Sequence, residues 1–200
     1  MRNYYTKALF LEYFTVAYNI VEAALSIFFG SMAKSIALVG FGLDSVVESL
    51  SGGVLIWRLH KHGKISEAEE ERIEHRAQMF VAMTFFILGV YVLVQSVKKL
   101  VFKEMPDPSL PGIIIAIVSL IVMPVLSVQK LKTGKAIQSD ALVADSKETL
   151  ICAFLSISLL IGLGLNYIFS FWQADALVGL VIVFYLFKEG REVWIESKNE

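Results

Sequence analysis

Cysteine is nearly missing from this sequence. Cys152 stands alone, so an internal disulfide is excluded. A basic excess is missing too: the net charge is -1, and no basic stripe interleaved with aromatics offers a surface for nucleic acid. Strict alternation of apolar and polar residues does not occur in the long apolar windows, which removes a membrane β-barrel. There is no His-Glu-x-x-His and no serine nucleophile elbow, which argues against a membrane-embedded metalloenzyme and for a non-enzyme. The first apolar segment is too long for a secretory leader and lacks a small-residue cleavage site. Neither an internal repeat nor a low-complexity stretch is evident.

What the sequence has is hydrophobicity. Apolar residues make up 56% of the 200 positions, and mean hydropathy is +0.65. Apolar windows of about 20 residues recur, the length that crosses about 30 Å of hydrocarbon as a helix. Six spans are expected, over residues 8–30, 35–59, 77–100, 112–128, 144–168 and 174–187. The expectation is an all-α membrane protein, one domain of six transmembrane helices over residues 1–200. Gly30-Ser31 and Pro106-Asp107-Pro108 read as turns, and Pro124 is expected to kink or end the fourth helix.

Basic residues set the orientation. Arg2 and Lys7, then Arg58, Lys61, Lys64, Arg72 and Arg76, then Lys130, Lys132 and Lys135 in the loop after span four, and finally Lys188, Arg191 and Lys198 share one side. The opposite side holds only Lys34, Lys98, Lys99 and Lys103. Both termini are therefore expected in the cytoplasm, with the plasma (inner) membrane as the location. The acidic run Glu67 to Glu74 reads as a solvated extension of the third helix. His60, His62 and His75 flank it; they collect a metal or simply form polar interface, and the second reading is favoured.

Against this background two carboxylates stand out. Asp44 and Glu48 lie in mid-span, four residues apart, so they share a helical face. An acid at the bilayer centre costs about 2.5 kcal/mol or more by insertion scales. Ser45, Ser49, Ser51, Gly52 and Gly53 surround the pair and permit close helix approach. A buried cation site is the working reading; a proton-bridged or serine-bonded pair is the alternative. Two ligands rarely suffice for a divalent ion. Span five supplies Glu148 and Cys152, again four apart, with Cys152 at about the depth of Asp44 and Glu48 counted at about 1.5 Å per residue. A lone buried cysteine ordinarily acts as a small hydrophobe, and Glu148 alone would pass for an interface residue. Their shared register brings both into the set.

Further acids are placed by depth. Glu22, with Asn19 one turn earlier, lines the ion's path or hydrogen-bonds Ser45. Asp145 guards the cytoplasmic entrance or serves as a helix-start acid. Glu12 lies near the inner interface within reach of headgroups or water, with little expected of it. Asp175 is assigned to a helix N-terminus rather than to metal.

At this point the residues resemble a known family. Ala37-Leu38-Val39-Gly40-Phe41-Gly42-Leu43-Asp44-Ser45-Val46-Val47-Glu48 is similar to the second transmembrane helix of the cation diffusion facilitators, the cation efflux family. Ala141-Leu142-Val143-Ala144-Asp145-Ser146-Lys147-Glu148-Thr149-Leu150-Ile151-Cys152 resembles the fifth, and Ala174-Asp175-Ala176 the start of the sixth. The resemblance implies a secondary transporter that expels a divalent metal through a site between helices two and five. Asp44 and Glu48 take one ligand pair; Glu148 and Cys152 take the positions of a histidine and an aspartate. A histidine-rich loop between spans four and five is lacking, and the resemblance implies a transmembrane-only member without the cytoplasmic C-terminal domain. Exchange of metal against protons is likewise implied by the family; a metal's charge expels protons from shared ligands, so the chemistry is compatible.

A thiolate in the set favours zinc, then cobalt or cadmium; carboxylates alone would favour manganese or iron. No resident cofactor is expected. The partners are the lipid bilayer, the metal ion and protons, and close-packing small residues permit a homodimer. A metal-binding sensor or adaptor without transport stays open beside the transporter, with a metalloenzyme behind both.

Overall fold

Each apolar run folds as one long helix, because a backbone in hydrocarbon has to satisfy its own hydrogen bonds. The computed structural model describes residues 2–61 and 67–199. Six helices account for nearly all of them: α1 Arg2–Met32, α2 Ile36–Lys61, α3 Glu67–Phe102, α4 Leu110–Ile137, α5 Asp140–Phe169 and α6 Gln173–Asn199. Five are long and apolar enough to cross a membrane. The sixth, α6, has a shorter apolar stretch over 176–187, bracketed by Asp175 and by Lys188 and Glu189. It lies antiparallel along α3: Gly179 meets Ser96, Gly89 meets Phe187 and Gly190 meets Phe85. Large apolar side chains such as Phe10, Phe80, Ile87, Ile121, Ile168 and Phe184 face outward, while Glu12, Asn19, Glu22, Ser45 and Glu48 are buried. That inversion of the soluble pattern marks an integral, multi-pass membrane protein.

The helix ends differ from expectation in two places. Gly30 and Ser31 do not form the first turn; α1 runs through them to Met32 and the reversal falls at Lys34, with φ 51. Gly30 is needed for packing instead, since a Cβ there would lie 2.8 Å from the Val39 backbone nitrogen. Pro124 does not end α4, which continues to Ile137. A proline is tolerated inside a membrane helix where neighbours re-satisfy the freed backbone group. Consequently the loop expected after span four is helix, and Lys130, Lys132 and Lys135 belong to α4. Only Gln138, in left-handed conformation, and the N-cap Ser139 separate α4 from α5. The Pro106–Pro108 connection is a true loop, with the Asp107 N–H donating to Ala33 O at 2.8 Å. The acidic run does begin α3, as expected of its backbone.

Packing proceeds by antiparallel pairs: α1 with α2, α4 with α5, and α3 with α6. The α2 helix also touches α3, α5 and α6, so it is the hub. Apolar packing dominates its α3–α6 side, around Leu38, Phe41, Val92, Ile182 and Leu186. Toward α1, α4 and α5 the interior turns polar. Small residues set the α1–α2 spacing, and a Cβ on Gly42 would come within 2.9 Å of Ile27 and Ser26 and 3.1 Å of the Ala23 carbonyl. Gly42→Ala is therefore expected to cost about 1–3 kcal/mol by overpacking, read as a lower thermal transition of the detergent-purified protein. Gly53→Ala is the control, because no described residue lies within 4 Å of its Cβ position; an equal loss in both would disprove the packing account.

Candidate metal site

Polar residues on α1 recur every three or four positions: Glu12, Thr15, Asn19, Glu22 and Ser26, all buried. That spacing places them on one face. The α4 helix answers with Ser119, Ser127, Lys130 and Thr133, and α5 with Asp145, Thr149 and Ser156, also buried. With Ser45 and Glu48 of α2 they line a polar column between α1, α2, α4 and α5. Near its middle sits Cys152, 2% exposed. Its thiol reaches Asp44 Oδ2 at 3.2 Å and Glu48 Oε2 at 3.1 Å. The structure thus brings together three of the four residues chosen as metal ligands.

Glu148 stands one turn away, toward the face that carries the chain termini. It is half-buried and accepts from Ser51 Oγ at 3.2 Å. Glu48 Oε1 is buried without a hydrogen-bond partner among the described residues. Among the described residues no three histidine, cysteine, aspartate or glutamate side chains converge closely enough to hold a metal ion as they stand. The sulfur touches both carboxylates.

Glu22 lies beside this cluster. Its Oε2 accepts from Ser45 Oγ at 2.9 Å, as anticipated, and its Oε1 from the Tyr18 hydroxyl at 3.0 Å, which was not. Asn19 is fully buried, and neither side-chain atom has a hydrogen-bond partner among the described residues. On the far face Asp175 acts as a helix-terminus acid: it accepts from the Ile36 N–H at 2.9 Å, from Ser35 Oγ and from Lys99 Nζ at 3.1 Å. It caps α2 as well as starting α6. His60 pairs with Tyr13 at 3.0 Å, His75 is half-buried, and His62 lies outside the described residues.

Two expectations are corrected here. Glu12 does not reach headgroups or water; it is 0% exposed and pairs with Lys130 Nζ at 3.2 Å. Lys130 is no loop cation; it is buried as deeply and also holds Asp145 Oδ2 at 2.5 Å. The cause is the unbroken α4, which carries the side chain inward. Asp145 is thus an ion-pair partner. Glu189 of α6 is a further buried acid that sequence reading passed over; it acts electrostatically on Asp44 and Glu148. The three-and-four spacing on α1 was the available signal for Glu12.

The sequence that forms this bundle matches a known domain. The cation efflux transmembrane domain aligns with residues 13–200. The chain belongs to the cation efflux family. Relatives within reach of sequence comparison include transmembrane protein 163 of Xenopus laevis, 24% identical over 182 residues. An uncharacterized transporter of Methanocaldococcus jannaschii is 22% identical over 183 residues. Each alignment takes in 90% of this chain and 64% of the relative, so the chain spans just under two thirds of their length. Metal tolerance protein 4 of rice is 31% identical over 98 residues, 46% of this chain and 24% of the relative.

The hydrogen bonds on Glu22 generate a stability prediction for this cation efflux protein. Ser45→Ala and Tyr18→Phe each remove one donor from a buried carboxyl group, at about 1–3 kcal/mol apiece. The double variant should lose more than either single one in thermal unfolding; no change in the double would show that Glu22 is satisfied elsewhere.

Proposed function

We propose that this cation efflux protein carries a divalent metal ion, zinc first, out of the cytoplasm across the plasma (inner) membrane in exchange for protons. The observation that supports this most is the contact of Cys152 Sγ with both Asp44 and Glu48, inside a membrane bundle. A thiolate and carboxylates form a mixed soft and hard donor set suited to zinc, cobalt or cadmium. Glu148 supplies the fourth ligand, reaching one turn along α5 from its place on Ser51.

Metal and protons compete for the same atoms. Carboxylate and thiol bind metal only in their deprotonated forms, so loading strengthens as pH rises on the loading side and releases protons. Unloading on the opposite, more acidic side returns protons to the ligands. Access alternates by movement of α1, α2, α4 and α5 against the α3–α6 pair; the glycines at the α2 contacts, Gly40 and Gly42, keep those surfaces smooth. The excess of basic residues on the termini-bearing side supports a cytoplasmic position for the termini, and with them the loading face. Glu22, Asn19 and Asp145 line the route.

Flux decides between transport and mere binding. In vesicles with the termini-bearing face outward and an acidic lumen, zinc should accumulate, and collapsing the proton gradient should abolish accumulation. Asp44→Asn should reduce initial flux at least tenfold; wild-type flux in that variant would remove the site from the route. Metal binding without flux in the wild type would instead favour a sensor or adaptor. The sulfur is tested separately with cobalt: the wild type should show a thiolate-to-cobalt charge-transfer band that Cys152→Ser lacks. The same spectrum in both would leave Cys152 as packing.

A further inference from the structure

Lysine is among the residues least often fully buried, and then only when paired. Lys130 is 0% exposed. Its Nζ lies 2.5 Å from Asp145 Oδ2, 3.2 Å from Glu12 Oε1 and 3.3 Å from Thr149 Oγ1. Those oxygens come from α5 and α1, and the ammonium from α4, so one nitrogen ties three helices. Two carboxylates and a hydroxyl around one positive charge form a cradle for a cation, and the protein's own side chain fills it. Asp145 Oδ1 is buried and has no hydrogen-bond partner among the described residues, so the cradle retains acceptor capacity beyond what the ammonium uses.

Its position gives the cluster a role. Along α5, Asp145 precedes Cys152 by two turns, about 10 Å of axial rise. Along α1, Glu12 stands on the same termini-bearing side of Glu22. Lys130 also acts electrostatically on Glu48. A cation moving through the polar column between that face and Cys152 therefore meets a fixed positive charge where Lys130 joins α1, α4 and α5. Repulsion between like charges is strong in such low-dielectric surroundings.

We propose that Lys130 is a tethered cation that seals the termini-bearing end of the polar column, seated in a cradle of Glu12, Asp145 and Thr149, and that its withdrawal opens the way to Cys152. The inference rests on reading the column as the ion's route, but its readout is access and requires no transport.

Cys152 is the only cysteine, so its modification reports access directly. Wild type and variants are reconstituted, and a membrane-impermeant cationic methanethiosulfonate is added at the termini-bearing face. Lys130→Gln should raise the modification rate of Cys152 at least tenfold, while Lys132→Gln, at an exposed position of the same helix, should leave it at the wild-type value. The exchange of Glu12→Lys with Lys130→Glu should return the rate toward wild type, because it restores an ammonium between α1, α4 and α5. Reagent added at the opposite face should show no change in Lys130→Gln. A folded Lys130→Gln modified at the wild-type rate would overturn the proposal, leaving a structural ion pair. Equal acceleration from both faces would overturn it as well, by showing general loosening. Should Lys130→Gln fail to give a cooperative thermal transition, Asp145→Asn keeps the ammonium but loosens its seat; a severalfold faster rate supports the seal and an unchanged rate refutes it. Flux through the wild type and its loss in Asp44→Asn are read independently, so failure of the seal and failure of the transport reading are distinguishable.

Discussion

An ionised side chain inside a bilayer has to find its partners within the protein. That constraint arranges everything on the α1, α2, α4 and α5 side of this molecule. Acids at Glu12, Glu22, Glu48 and Asp145 are buried there, and each draws a donor from another position in the bundle. Serine and threonine serve where a hydroxyl is enough; Tyr18 and Ser45 on Glu22 are the example. Where net charge has to be cancelled, a lysine is drawn in, and α4 has to remain helical past Pro124 to deliver it. Apolar packing fills the α3–α6 side, where in lipid it acts through close van der Waals contact at Gly89, Gly179 and Gly190 rather than through the hydrophobic effect.

Two buried lysines hold opposite ends of the bundle. On the far face Lys99 of α3 meets Asp175 of α6 at 3.1 Å, and Asp175 also receives the first amide of α2. A carboxylate at a helix start gains further from the dipole of that helix. On the termini-bearing face Lys130 of α4 meets Glu12 of α1 and Asp145 of α5. One tie takes α2, α3 and α6 and the other takes α1, α4 and α5, so each helix is fastened at one end by a charge. Removing one partner from a buried pair costs about 3–5 kcal/mol, whereas replacing the whole pair by apolar residues is often neutral.

The fold was legible in the sequence because length and apolarity suffice for membrane helices. The shared register of Asp44 with Glu48 and of Glu148 with Cys152 was legible too, because a four-residue spacing fixes a helical face. Lys130 was not. Its sequence surroundings, Gln129 through Lys135 after a proline, resemble a basic loop, and the charge-asymmetry rule rewards that reading. Only the observed two-residue turn at Gln138 and Ser139 shows that α4 is too long for a loop there. Glu12 was misjudged for the related reason that depth was counted from the end of a helix without its partner in view. Glu189 was hidden by its neighbours: Lys188 and Arg191 made it look like part of a solvated terminus, although it is 7% exposed.

The two acidic clusters on the column differ in one respect that bears on function. Glu12 and Asp145 have a lysine between them, so the protein supplies its own positive charge. Asp44 and Glu48 have between them a thiol, which donates one proton and carries no positive charge. An ionised pair of carboxylates in that place is short of two positive charges, and the cation that acts on Glu48 from the chain itself is already committed to Asp145 and Glu12. In the exchange proposed above, protons or a divalent ion would make good the deficit at the same atoms. That equivalence is the physical requirement for exchanging one against the other, and among the described clusters it is met where the lysine is absent. The lysine-bearing cluster is suited to closing a route, and the lysine-free one to being its destination.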